Sequence, residues 1–220
     1  MMMELTLAQK IAVWTLPVLL AIILHEVAHG WVAWKLGDPT AKASGRLTLN
    51  PLVHIDPIGT VVVPLITLVL GGIIFGWARP VPVDQRYFKD PYRDMAKVAI
   101  AGPTANFLMA VGWGMLALLG QRLSPTMPEI GWFLLYSGIA GIQINLILAA
   151  LNLIPIPPLD GSRIVAAFLS PSIRNSYYRL EPYGFFILLG LIFTGLLNPI
   201  ILPIFNVLRG LLQQILGLMT

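Results

Sequence analysis

Hydrophobic and polar positions fall in long blocks along the chain. Between Lys10 and Lys35 the only ionisable side chains are His25, Glu26 and His29. A helix over that stretch is about 36 Å long, enough to cross a bilayer with some tilt. Val98 to Gly120 is a second uncharged block, and Ile130 to Leu159 a third, which loses helical character where Pro155, Pro157 and Pro158 crowd together. Pro182 to Leu208 is a fourth, and Asn198-Pro199 with Pro203 predicts its division into helices of roughly 183–197 and 200–218. Pro57 to Ala78 is also uncharged, but Pro64 and Gly71-Gly72 interrupt it, so it does not read as one continuous helix. Internal repeats and low-complexity segments are absent. The first apolar run has no basic region before it and no small-residue cleavage site close behind, so it reads as an anchor and not as a cleaved signal peptide.

Composition turns these blocks into membrane spans. The 220 residues are 57% hydrophobic and only 11% charged, with a mean hydropathy of +0.81. A soluble domain carries about a quarter charged residues, so this chain has too little polar surface to cover itself. At roughly 20 residues per crossing, the length allows five or six spans and no separate soluble domain. The net charge of +4 comes without a basic block interleaved with aromatics, which argues against a nucleic-acid partner. Zero cysteines exclude disulfides, thiolate metal sites and a cysteine nucleophile, leaving His, Asp and Glu as the metal ligands.

The basic residues also test the topology. If residues 57–78 cross the membrane, nine Lys and Arg fall on one side and four on the other. If the stretch enters and returns, Lys35, Lys42 and Arg46 join Arg79, Arg86, Lys89, Arg93, Lys97, Arg163, Arg174 and Arg179, with Lys10 and Arg122 opposite and Arg209, in the last predicted helix, left out of the count. The eleven-to-two division fits the positive-inside rule better. Irregular backbone at that depth survives only against protein or a wet cavity.

His25-Glu26-Val27-Ala28-His29 is an H-E-x-x-H motif inside the first apolar helix. Positions i and i+4 share a helical face, so two imidazoles can converge on one metal ion with Glu26 within reach of a water activated there. Zinc would lower the pKa of that water and polarise a carbonyl. Three ionisable groups on one helix turn at membrane depth are costly, and a metal compensates them better than a bridging polar cluster would.

Two histidines leave a catalytic zinc one protein ligand short. Asp160, which ends the apolar stretch 130–159, is a candidate ligand; alternatively it caps a short helix 162–169. His54 could be the third ligand instead, a donor to a developing oxyanion, or a plain loop histidine. Asp56 reads as a turn residue before Pro57. Asn106 and Asn152 could each bridge helices by hydrogen bonding; alternatively Asn106, or Asn152, eight residues before Asp160, could orient substrate or stabilise the tetrahedral intermediate. Serine and two-aspartate intramembrane designs do not fit: the only histidine outside the first helix is in a loop, and Asp160 is the only aspartate at a span edge.

Taken together, His25 to Gly30, Gly102-Pro103-Thr104-Ala105-Asn106 and Asn152 to Gly161 resemble the site-2 protease family of intramembrane zinc metalloproteases. Gly45 to Pro51 and Gly76 to Val83 resemble its compact bacterial and archaeal branch, which lacks a PDZ domain. The resemblance implies one zinc on His25, His29 and Asp160, with Glu26 as the activating carboxylate. It also implies an active site toward the cytosolic side of a prokaryotic cell membrane and a transmembrane protein as substrate. Residues 77–83 would then form an extended edge strand that holds an unwound substrate, pairing through alternate residues only because Pro80 and Pro82 lack an N–H.

The expectation is therefore an all-α polytopic membrane protein with about five transmembrane helices and a re-entrant segment. A metalloprotease core occupies residues 1–170 and a C-terminal transmembrane hairpin residues 171–220. Two other classes remain: a catalytically silent homologue that binds membrane segments, against which the intact Glu26 speaks, and a transporter with a midplane metal site, which no internal repeat supports.

Overall fold

The computed structural model describes residues 5–63 and 76–217. The turn expected around Gly71-Gly72, and with it most of the re-entrant segment, lies outside the described residues. Helix α1 (Leu7–Lys35) opens with a capping box formed by Thr6 and Gln9 and carries Pro17 inside it. After a short helix α2 (Thr40–Ala43) and turns at Pro51–His54 and Pro57–Val62 comes an extended strap, residues 76–84. Helix α3 (Pro91–Leu123) starts at Asp90, whose carboxylate caps the Arg93 amide. It is followed by α4 (Pro128–Asn152) and the short helices α5 (Asp160–Ala166) and α6 (Pro171–Tyr178). Helices α7 (Gly184–Phe193) and α8 (Leu197–Ile215) end the chain.

Among the described residues three helices, α1, α3 and α4, are long and apolar enough to cross a membrane. Residues 171–193 and α8 meet at 91° and add a fourth candidate if the bent pair is one span. The break falls at Thr194–Leu196, where Gly195 takes φ +73, and not at Asn198-Pro199 as the proline pattern predicts. Pro199 instead sits in the first turn of α8, where a missing N–H leaves no hydrogen bond broken. Ten residues of α7 are about 15 Å of helix, short of the hydrocarbon thickness.

The helices pack through small residues and turn their large apolar side chains outward, as expected where lipid is the solvent. On α1 the buried positions Val13, Pro17, Ala21, His25, His29 and Ala33 recur every fourth residue, so the histidines continue the packing stripe. On α3 the stripe is Asp94, Val98, Gly102, Asn106, Ala110 and Gly114. Leu16, Leu19, Leu108, Met115, Phe133 and Ile139 face outward. Glycines bring α3 and α4 together: a Cβ on Gly120 would lie 2.4 Å from Leu135 N, and one on Gly138 would lie 2.6 Å from Ala117 N. Helix α8 closes this pair from outside through Leu212, set against Ala110 and Leu146.

Candidate metal centre

The buried stripe brings His25 and His29 against α3, and each imidazole is oriented from behind. His29 Nδ1 lies 2.7 Å from the Val98 carbonyl, which can only accept, so this nitrogen carries the proton. His25 Nδ1 lies 2.5 Å from Asn106 Oδ1. That amide has no freedom to flip: its Nδ2 donates to Ala21 O at 3.0 Å and to Asn145 Oδ1 at 2.9 Å, while Asn145 donates in turn to Gly141 O. A relay through α4, α3 and α1 therefore sets His25 as the Nδ1–H tautomer.

Both Nε2 atoms are thus bare lone pairs, and they face each other at 3.0 Å. Asp160 Oδ2 completes the group at 3.2 Å from His25 Nε2 and 3.3 Å from His29 Nε2. It is buried and takes no hydrogen bond. One proton could satisfy one of these three contacts and would leave lone pairs opposed in the others. A cation satisfies all three. Tetrahedral zinc with bonds of about 2.0–2.1 Å holds its ligand atoms roughly 3.3–3.4 Å apart, so the two nitrogens and one oxygen suit zinc in number, chemistry and spacing. Gly102 leaves room on the ligand side: a Cβ there would lie 2.5 Å from both His25 Cε1 and His29 Nε2. Among the described residues this is the one group of three His or acidic side chains able to share an ion.

Asp160 is delivered by the turn after α4, where Leu159 N bonds Ile156 O and Ser162 N bonds Leu159 O. Gly161 passes so close to the end of α4 that a Cβ would lie 2.3 Å from Leu153 O. Leu159 holds the N-cap position of α5 and Asp160 its first turn, so the carboxylate does not serve as the helix cap that the sequence left open.

Glu26 lies about 100° round α1 from His25, and its Oε2 accepts the Val81 amide of the strap at 2.8 Å. Its Oε1 has no hydrogen bond among the described residues. The strap is extended, and no strand ladder forms along it among the described residues. Pro80 and Pro82 have no N–H to donate, while the Arg79 amide goes to His54 O at 2.9 Å and the Val81 amide to Glu26.

The other candidates stand apart from the three-atom group. Asn106 is fully buried with both N–H groups spent on helix contacts, so it orients His25 and cannot face a substrate. Asn152 donates to Leu148 O of its own helix at 3.0 Å, and no hydrogen bond ties it to the cluster. His54 lies 3.0 Å from Thr48 O through Nε2, and its buried Nδ1 is unpartnered; it is not among the three convergent ligands. Asp56 caps the next turn through the Ile58 and Gly59 amides, as a turn residue should. Sequence reasoning missed Asn145, Arg46 and Asp38. Only the apolar context of Asn145 singles it out along the chain, because all three act on partners distant in sequence.

The description "Peptidase family M50" matches residues 125–195, a range that holds Asp160 and runs past the boundary expected at residue 170. The chain is 41% identical over 189 residues to "Putative zinc metalloprotease YwhC" of Bacillus subtilis, covering 86% of this chain and 83% of that one. It is 34% identical to "Putative zinc metalloprotease Rip2" of Mycolicibacterium smegmatis, covering 82% of this chain and 66% of the relative. It is 28% identical to "Zinc metalloprotease MJ0392" of Methanocaldococcus jannaschii, over 68% of this chain and 32% of that one. No solved structure matches. Three long apolar helices, a convergent two-histidine and aspartate group and these relatives agree: the chain belongs to peptidase family M50, the site-2 proteases, and is a membrane zinc metalloprotease.

Proposed function

We propose that the chain is an intramembrane endopeptidase that hydrolyses peptide bonds within or beside transmembrane segments of other membrane proteins. The observation that carries this reading is the pair of bare Nε2 atoms facing an unpartnered Asp160 oxygen, with the Glu26 carboxylate adjacent in sequence. In this reading His25, His29 and Asp160 hold one zinc, which when bound supplies the Lewis acidity that activates water and polarises a carbonyl.

The remaining steps belong to the protein. Glu26 holds one oxygen on the Val81 amide and keeps Oε1 to take a proton from the attacking water and pass it to the leaving amine. The Asn106 and Val98 contacts keep both imidazoles in the ligating tautomer. A substrate helix must unwind locally, because its carbonyls are otherwise hydrogen-bonded. Between Arg79 and Pro82 the strap's two N–H groups are engaged and Arg46 takes the Arg79 and Pro80 carbonyls, so the Val81 and Pro82 carbonyls are what it offers such a segment. A substrate pairing there would donate its own N–H groups and keep its carbonyls for the catalytic side. The eleven-to-two division of basic residues supports a site opening to the cytosolic side and a re-entrant path for residues 57–78, and with it about five crossings.

The test is Glu26→Gln, reconstituted in liposomes with a transmembrane substrate. Zinc content should remain at wild type while cleavage falls by roughly 10²–10⁴-fold. Cleavage at the wild-type rate would remove Glu26 as general base; equal inactivity of wild type and variant on every membrane substrate offered would favour the silent homologue.

A further inference from the structure

Arg46 is almost fully buried, and although the Glu26 carboxylate is near enough to act on it through charge, its guanidinium forms no salt bridge among the described residues. Its Nη2 donates to two main-chain carbonyls of the strap, Arg79 O at 2.6 Å and Pro80 O at 3.4 Å. A buried guanidinium ordinarily pairs with an acid, so spending one on a non-repetitive segment calls for a reason. The peptide linking Pro80 to Val81 supplies it. In a trans peptide the C=O and the N–H point in opposite directions. Arg46 grips the preceding Arg79 carbonyl at 2.6 Å and reaches the carbonyl end of this plane at 3.4 Å, while Glu26 accepts from its N–H end at 2.8 Å. We propose that Arg46 is a positioning residue for Glu26, clasping the Pro80–Val81 peptide so that the Val81 amide fixes the carboxylate.

The surroundings are built for this clasp. Gly30 follows His29, and a Cβ there would lie 2.8 Å from Val81 Cγ1 and 2.7 Å from Leu47 Cδ2, so its bare face lets both flanks of the clasp lie on α1. Asp38, fully buried, anchors the far end of the strap by accepting the Asp84 amide at 2.7 Å. Without Arg46 the peptide plane between these anchors is free to rotate, and the Val81 N–H leaves Glu26.

The inference rests on the reading of Glu26 as general base, and its test separates the two. The zinc-loaded full chain in nanodiscs is compared as wild type, Arg46→Gln, Arg46→Lys, Glu26→Gln and Glu26→Ala. Three properties are measured: zinc content, hydrogen exchange of a peptide covering 79–84, and kcat and KM on a membrane substrate. In that peptide Pro80 and Pro82 have no amide to report. Arg46→Gln should keep its zinc, lose protection in the strap and lose about tenfold or more in kcat, with KM within twofold. Arg46→Lys, which keeps the positive charge and N–H donors where the Gln variant keeps only a shorter neutral amide, should fall between it and wild type. Glu26→Ala should deprotect the same peptide, whereas Glu26→Gln, which still accepts, should not. These exchange results hold or fail without any turnover, so they stand apart from the activity of Glu26→Gln. Wild-type exchange in Arg46→Gln, a raised KM at unchanged kcat, or zinc loss in both Arg46 variants would each overturn the proposal.

Discussion

The metal cluster and the strap meet neighbouring faces of the same two turns of α1, through His25 and His29 on one and Glu26 and Gly30 on the other, and they are held by different means. The cluster is set by helices: His25 and His29 sit on a four-residue packing stripe and are backed by Asn106 and the Val98 carbonyl. The strap has no regular hydrogen bonding of its own and is held by the side chains of Glu26, Arg46 and Asp38, together with the Gly59 and His54 carbonyls. A region braced by helical backbone is lost only when a ligand or the packing fails. A region held by separate side chains can be released one attachment at a time. Metal binding and the aim of the general base should therefore be separable by mutation.

The largest break is expected from Asp160→Ala, which opens one of three ligand positions. Zinc content after dialysis against a weak chelator should fall to near zero while strap exchange stays protected, and retained zinc would return the third ligand to His54. Gly102→Ala comes next. Its Cβ would press on both imidazoles, lowering zinc affinity and costing about 1–3 kcal/mol by overpacking, measured by competition with a zinc-binding dye and by thermal unfolding. Asn106→Leu removes the acceptor behind His25 and should weaken zinc about 10- to 100-fold, with Asn145→Leu giving a smaller loss in the same direction. The smallest effect belongs to Asp38→Asn. It should leave zinc content unchanged and cost roughly 1–3 kcal/mol for a weakened buried contact, with faster exchange confined to the strap's Asp84 end. If zinc binding fell with strap exchange in this variant, the two regions would be one unit and the comparison would fail.

Much of the cluster was legible along the chain because its chemistry is local. His25 and His29 are four residues apart on one helix, and Asp160 stands out as the charge that ends an apolar stretch. The roles of Asn106 and His54 were not legible, because an amide or imidazole looks alike in sequence whether it faces a substrate, a ligand or a neighbouring helix. The end of α7 was misjudged for a related reason: Asn198-Pro199 has the composition of a break, but a proline in a first helical turn breaks nothing, and the chain bends instead at Gly195. The prolines at 80 and 82 predicted weakened pairing of the strap, but its attachment to Glu26 depends on contacts more than fifty residues apart.

By itself, the sequence determined that the protein lives in a membrane and carries H-E-x-x-H within a helix long and apolar enough to cross one, because span length and i,i+4 spacing are properties of a single helix. Only the tertiary structure decided which oxygen joins the two imidazoles, which tautomers they hold and what grips Glu26. Each of these depends on side chains from different helices meeting within hydrogen-bond distance, and long apolar helices have no strong pattern along the chain to say which face will meet which.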